Sequence, residues 1–413
     1  MSRIAFILLH PSTHSLASFM RVRELALNLE HLGYESIILT PYERSFRLSR
    51  NVYVLRLPDF PVKTSHLFPI QLISKIYGLT RKIYYSRKLQ PVLLNVILRK
   101  YIKNRYVSNS LLKIVEKYGI DILQAEQDNA GLVTMGLRGI FRGPLVLDLH
   151  GIWSEELVAA GTISERSKEY FLLQLLMKEI TNSFDMVIAL SEEMRNYIVN
   201  HYKVNRDKVV IAPPGGYPRV RRIPRREGVP RVVYAGTLTY SKGVKLLINS
   251  LPIVYGKKPN ITFYFTKKGE LLNELVSLMR KKGVNIRFFW FEKVEKLYSF
   301  LMRCHIGLQP SNPSTSSRIN VPSKVIDYLS VGVPIVANDV GGWTEDIKRY
   351  KAGVVTGNSP EEFAEGLIWL LDNPKMMEEY SHNSLRLLNE KYNWEKIAKI
   401  LAKEYEKLLS KVN

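Results

Sequence analysis

Two stretches in the second half of the chain carry residue types that could hold a diphosphate. The first is Tyr234-Ala235-Gly236-Thr237-Leu238-Thr239-Tyr240-Ser241-Lys242-Gly243-Val244, which joins a short apolar run to a helical pattern. Gly236 lets a ligand approach the backbone. The helix that follows offers unpaired N–H groups and the positive end of its dipole, and Lys242 at its start adds a full charge. Taken alone, the loop reads equally well as a turn with a solvated lysine. The second stretch is Asn320-Val321-Pro322-Ser323-Lys324-Val325-Ile326-Asp327-Tyr328-Leu329-Ser330-Val331-Gly332-Val333-Pro334-Ile335. Pro322 and Ser323 suit a helix start, and Gly332-Val333-Pro334 closes the helix before an apolar strand. Lys324 and Asp327 share a helical face one turn apart. Here a carboxylate could accept from ribose hydroxyls while Lys324 and the exposed N–H groups hold phosphate. The plainer alternative is an i,i+3 surface ion pair.

In the first half, Asp148-Leu149-His150-Gly151-Ile152-Trp153 ends an apolar run. An imidazole at such a strand end can donate to a hydroxyl or to developing negative charge, although a purely structural histidine fits the same position. His10 and His14, with Ser12 and Ser15, line the first loop, where they could meet an acceptor.

The elements that must position these residues alternate. Ile4–Leu9 is a continuous apolar run, as in a parallel strand buried on both faces. Val22, Leu25, Ala26, Leu29 and Leu32 have helical spacing, and Gly33 stops that helix before the run Ser36–Leu39. Further strands are expected at Val52–Leu57, Asp121–Ala125, Leu145–His150, Met186–Leu190 and Val209–Ala212. A stretch rich in proline, glycine and arginine follows from Pro213 to Pro230 and reads as an exposed linker. The pattern then restarts, with strands at Val232–Ala235, Ile261–Phe265, Ile286–Phe291, Ile306–Gln309, Ile335–Ala337 and Val354–Val355. Helices are expected between them near 242–252, 270–282, 294–303, 322–331 and 361–371, and a last one near 393–410. With 413 residues, two domains are the prior expectation. The reading is therefore α/β: residues 1–213 form one Rossmann-like domain, 214–230 a linker, and 231–392 a second Rossmann-like domain. Such sheets bind ligands at their carboxyl ends, in the cleft where two domains face each other.

These motifs together resemble the family 4 retaining glycosyltransferases. Pro322–Pro334 looks like their donor-binding segment, and Gly236–Gly243 is similar to their phosphate loop, with the right spacing to Lys242. Ile211-Ala212-Pro213-Pro214-Gly215 resembles their interdomain turn. Arg23-Glu24-Leu25-Ala26 through Gly33-Tyr34-Glu35 also fits, as does Tyr392-Asn393-Trp394 opening the final helix. The resemblance implies the GT-B fold, with residues 393–413 returning to the N-terminal, acceptor-side domain. It further implies that His150 reaches the transferred sugar. Catalytic roles then fall to His150 and Asp327, and donor binding to Gly236, Thr237, Lys242, Ser323, Lys324 and Asp327. The sequence also departs from the family. Of the two glutamates usually separated by seven residues, Asp327 stands at the second and Ile319 at the first, and Thr237 replaces the usual arginine.

The implied reaction is retaining hexosyl transfer from a nucleotide-diphosphate sugar, without a cofactor or bound metal, to a glycan or lipid-linked acceptor. No two aspartates lie two apart, so the Asp-x-Asp pattern of metal-dependent transferases is absent. The single cysteine, Cys304, can form no internal disulfide and fits a cytoplasmic setting. The run Ile4–Leu9 is too short for a secretory core, and no run of apolar residues is long enough to span a bilayer.

The net charge is +22, and residues 44–113 hold fifteen Lys or Arg against the single acid Asp59. Within 66–102, Leu67, Phe68, Ile70, Ile73, Ile76, Tyr84 and Tyr85 mix with Arg81, Lys82, Arg87 and Lys88, as in helices lying in an anionic lipid interface. This predicts peripheral contact with the inner face of the cell membrane. A nucleic-acid binder would share the charge, but no DNA or RNA module is visible. A sugar-nucleotide epimerase of similar fold would need a set of catalytic carboxylates that the sequence does not show.

Overall fold

The computed structural model describes residues 1–9, 16–41, 43–57, 105–224 and 227–411. They form two compact units. The first comprises Met1–Val158, Thr162–Ala212 and Ile397–Asn413, and the second Ala159–Gly161 and Pro213–Lys396.

The first unit is built on an eight-stranded sheet: β1 (Arg3–Leu8), β2 (Glu35–Thr40), β3 (Phe46–Arg47), β4 (Val52–Arg56), β5 (Ile122–Glu126), β6 (Leu145–Asp148), β7 (Met186–Ala189) and β8 (Val209–Ile211). Their order is β3-β4-β2-β1-β5-β6-β7-β8. Every pairing is parallel except that of β3 with β4. Along β1 and β6 the residues are buried without alternation, because helices cover both faces. The two-residue edge strand β3 is too short to leave a periodic signal in the sequence. The last helix, Trp394–Leu409, contributes its residues from Ile397 onward to this unit. There the Tyr405 hydroxyl donates to Gln124 on β5, and the Tyr34 hydroxyl donates to the Ala402 carbonyl at 3.2 Å.

The second unit has six strands, all parallel: β9 (Arg231–Tyr234), β10 (Thr262–Thr266), β11 (Ile286–Phe289), β12 (Ile306–Gln309), β13 (Ile335–Asn338) and β14 (Gly353–Thr356). The order β11-β10-β9-β12-β13-β14 is that of a doubly wound nucleotide-binding sheet. Successive side chains of β9 go to opposite faces. Val232 and Tyr234 pack with Leu247 and Leu251 of helix Val244–Lys257 and with Phe363 and Leu367 of helix Pro360–Asp372. Val233 packs with Val325 and Leu329 of helix Ser323–Ser330 and with Trp343 of helix Trp343–Tyr350.

Two features differ from the sequence reading. The expected linker 214–230 is, where described, part of the second unit. Gly216 N–H donates to the Tyr392 carbonyl at 2.7 Å, and Arg219 N–H donates to the Ser330 carbonyl at 2.7 Å. Helix Pro374–Lys391 was not anticipated, because its buried face uses Ser381 and Ser384 beside Leu387 and Leu388, which hides the apolar period. Residues 10–15, with His10, Ser12, His14 and Ser15, lie outside the described residues, and so does the apolar and basic stretch 66–102. Among the described residues no helix is long and apolar enough to cross a membrane.

Candidate functional site

In the second unit the strand order reverses between β9 and β12, and ligands of such sheets sit at the carboxyl ends at that point. Tyr328 anchors the spot. Its buried hydroxyl accepts from Ala235 N–H at 2.9 Å and lies within 3.3 Å of the Leu308 carbonyl, so it ties the ends of both strands to helix Ser323–Ser330. The loop after β9 depends on two glycines. A Cβ on Gly236 would run into the Lys324 stem and lie 2.9 Å from its Nζ. Gly243 has φ +71°, and a Cβ there would meet the Ser311 backbone at 2.6 Å. Thr266 donates its hydroxyl to the Gly236 carbonyl, and Leu238 N–H donates to the Lys268 carbonyl at 2.8 Å, which closes the loop against β10.

Lys324 is the unusual group. It is 9% exposed, and its Nζ lies 5.0 Å from the centre of the Tyr234 ring. No acidic residue stands in the first turn of its helix, and no side chain caps the helix start at Pro322. It is therefore not half of a surface ion pair with Asp327. Burial, and secondarily the charge of Lys242, push the Lys324 amine down to about 7, against the pull of Asp327. Asp327 accepts from the Tyr298 hydroxyl at 2.8 Å, and the Arg219 guanidinium lies 4.7 Å over the Tyr298 ring. Burial pushes its carboxyl up to about 6, opposed by Tyr298, Lys324 and Arg219. Thr237, Lys242 and Ser323 are exposed around this pair. Gly236, Thr237, Ser323, Lys324 and Asp327 thus come from two segments that meet at one strand crossover, with Lys242 close enough to affect Lys324.

Ile319 is 2% exposed, so nothing polar stands at that position. Beside it the Asn320 amide donates to Ser316 at 3.3 Å, while its carbonyl oxygen is buried with no partner among the described residues.

In the first unit the order reverses between β1 and β5, and His150 follows β6 nearby. The His150 ring is engaged on both sides. Nε2 is 2.9 Å from Glu126, and Nδ1 is 3.0 Å from Ser18 and 3.2 Å from the Gln127 amide nitrogen. With the Gln127 amide nitrogen as donor, the matching neutral tautomer has Nδ1 accepting and the proton on Nε2, towards Glu126. Asp148 is fully buried and held by both arms of Arg21, at 2.8 and 3.2 Å. Burial first, and then the Asp148 charge, raise the Glu126 carboxyl, while His150 and Gln124 hold it down. Glu126, Asp148 and His150 bring ligand atoms within 4.8 Å of one another, as a metal set could. The Arg21 fork already occupies Asp148, so the donor set is that of an ion-pair network. The sequence reading placed His150 but missed Ser18, Arg21, Glu126 and Gln127. Two signals were available: an arginine within the buried stripe of helix Leu16–His31, and carboxylates ending apolar strands.

The sequence profile of the group 1 glycosyl transferases matches residues 219–386, and that of glycosyltransferase family 4 matches residues 86–215. The chain belongs to this glycosyltransferase family. An uncharacterized glycosyltransferase of Methanocaldococcus jannaschii is 24% identical over 311 residues, covering 71% of this chain and 76% of its own length. Among solved structures, a sucrose-phosphate synthase from Thermosynechococcus elongatus is similar with a TM-score of 0.72 and 17% identity, over 99% of this glycosyltransferase and 100% of that chain. An Anabaena protein in complex with UDP and glucose has a TM-score of 0.64 and 13% identity, over 98% of this chain and 100% of its own. The two α/β units are those of the GT-B fold.

Proposed function

We propose that this glycosyltransferase moves a hexose from a nucleotide-diphosphate sugar, with retention of configuration, to a glycan or lipid-linked acceptor at an anionic membrane face. Lys324 carries the donor side of this reading. A buried amine that makes no salt bridge among the described residues, beside a glycine loop and an uncapped helix start, is suited to an anion that arrives from solution and favours its charged form. A diphosphate is the anion that the N–H groups of the two loops and the charges of Lys324 and Lys242 would suit. Asp327 would then accept from the ribose. The likeness to a UDP-bound protein makes UDP-sugars the first donors to try.

The chemistry follows from that placement. The bond from the anomeric carbon to phosphate oxygen breaks, and the nucleoside diphosphate leaves as an anion. Lys324, Lys242 and the helix N–H groups offset its charge in place of a metal ion, and they do so most strongly as the charge develops. The acceptor oxygen bonds to the anomeric carbon on the same face, and its proton passes to the departing phosphate oxygen. On the first unit, both ring nitrogens of His150 are engaged, Nε2 with Glu126 and Nδ1 with Ser18 and Gln127, so the histidine holds these polar groups in place at the carboxyl end of the sheet. The membrane part of the reading rests on the basic and apolar composition of residues 66–102.

A panel of nucleotide sugars, with nucleotide release and the product's anomeric configuration as readouts, tests the proposal. Release from one donor with a retained anomer supports it. An inverted product would refute retention, and no release from any donor would refute the transfer reading altogether.

A further inference from the structure

We infer that Gln127 is a specificity-determining residue whose side-chain carbonyl accepts a hydrogen bond from a sugar hydroxyl of the substrate. The inference rests on the glycosyl-transfer reading above, and it names a contact that the family motifs do not supply.

Gln127 has φ +67°, in the left-handed region, one of three described non-glycine residues there. The other two, Lys203 and Lys351, are the C-caps of helices, where a left-handed residue is ordinary. Gln127 instead begins helix Gln127–Thr134, immediately after β5. That strand borders the point where the first sheet's order reverses, so the strained residue stands at the carboxyl end where such a sheet receives ligands. A long side chain in this conformation is unfavourable, and glycine would remove the strain.

The side chain is also held. Its amide nitrogen donates to Ser18 Oγ at 2.9 Å and lies 3.2 Å from His150 Nδ1. His150 is fixed in turn by Glu126, which Gln124 supports at 2.8 Å. With the nitrogen turned inward, the carbonyl oxygen is turned away from Ser18 and His150. Among the described residues it has no hydrogen-bond partner, and the residue is only half-buried. A rigid, preoriented acceptor of this kind recognises a hydroxyl, and a hydroxyl is what the substrates of a sugar transferase offer. The hydroxyl could belong to the transferred sugar or to the acceptor.

The test compares Gln127→Gly and Gln127→Asn with wild type. Both residues adopt positive φ readily, and neither places a carbonyl where glutamine does. The readouts are thermal midpoint, calorimetric affinity for UDP (or for the diphosphate of whichever panel donor wild type uses) and transfer rate. Neither variant should lower the midpoint or the nucleotide affinity, and both should lose at least about tenfold in transfer. If the hydroxyl is the donor's, release of nucleotide to water without acceptor falls by the same factor. If it is the acceptor's, that release is unchanged and KM for acceptor rises. Full transfer by both variants would overturn the inference while leaving the transfer reading intact. Transfer lost together with nucleotide affinity or thermal midpoint would make Gln127 structural and would also overturn it. Wild type inactive on every donor would bring down the transfer reading first.

Discussion

The sharpest test concerns the proton on Lys324. Burial lowers this amine from 10.5 to about 7, which corresponds to roughly 5 kcal/mol against the charged form. A bound diphosphate reverses the balance, because opposite charge nearby favours the ammonium. The empty protein at about pH 8.5 therefore holds mostly neutral Lys324, while the complex holds it charged. Binding should take up close to one proton, and affinity should fall by up to about tenfold per pH unit above the free-state value. Phosphate ionisation does not obscure this, since its second pKa lies near 6. The assay is titration calorimetry with UDP in two non-phosphate buffers of different ionisation enthalpy, repeated between about pH 7.5 and 9.5. Lys324→Met keeps most of the stem but cannot bind a proton, so its affinity should be weaker and nearly independent of pH. The unliganded protein provides a second check with its own sign. A depressed amine contributes stability that is complete above its unfolded value of 10.5 and is lost as pH falls through about 7. Unliganded wild type should thus gain stability between those limits relative to Lys324→Met, by at most ~1.4 kcal/mol per pH unit. A flat affinity profile with no proton uptake would refute the placement of phosphate on Lys324.

Three further outcomes follow. Gly236→Ala should weaken UDP binding about as much as Lys324→Met, because the added methyl would displace the lysine stem; calorimetry showing wild-type affinity would mean that the two are not coupled. Arg21→Met leaves Asp148 buried without its partner, with the two side chains only 6% and 0% exposed, and should lower unfolding free energy by ~3–5 kcal/mol in denaturant titrations. Reversing Arg81, Lys82, Arg87 and Lys88 to Glu should release the protein from anionic vesicles and leave transfer to a water-soluble acceptor unchanged. Equal binding of wild type to neutral and anionic vesicles would refute the electrostatic part.

The sequence made the second unit more legible than the first, for a physical reason. A phosphate site made from backbone N–H groups needs glycine at fixed positions and a cation one helical step away, and such requirements leave a local pattern. Gly236, Lys242, Ser323, Lys324 and Asp327 all lie within two short segments, so their spacing could be read directly. What spacing could not show was that Lys324 is buried beneath Gly236. That follows from β9 and β12 lying side by side, a pairing between segments about seventy residues apart. Strands were legible because parallel strands covered on both faces are unbroken apolar runs. Helix Pro374–Lys391 was not, because buried serines replace aliphatic residues on its inner face.

The first unit's network illustrates the opposite limit. Ser18, Arg21, Gln124, Glu126, Gln127, Asp148, His150 and Tyr405 come from a helix near the start of the chain, two strand ends and the last helix, so no window of sequence contains them. Several, such as Arg21, Gln124 and Asp148, were individually visible as polar residues among apolar ones, the pattern of a buried group that needs a partner. Their pairing is a property of the sheet order. It also constrains His150: Nε2 faces Glu126, and Nδ1 faces Ser18 and Gln127. The histidine motif therefore locates the network, whereas its neighbours, drawn from distant segments, fix how the ring is held.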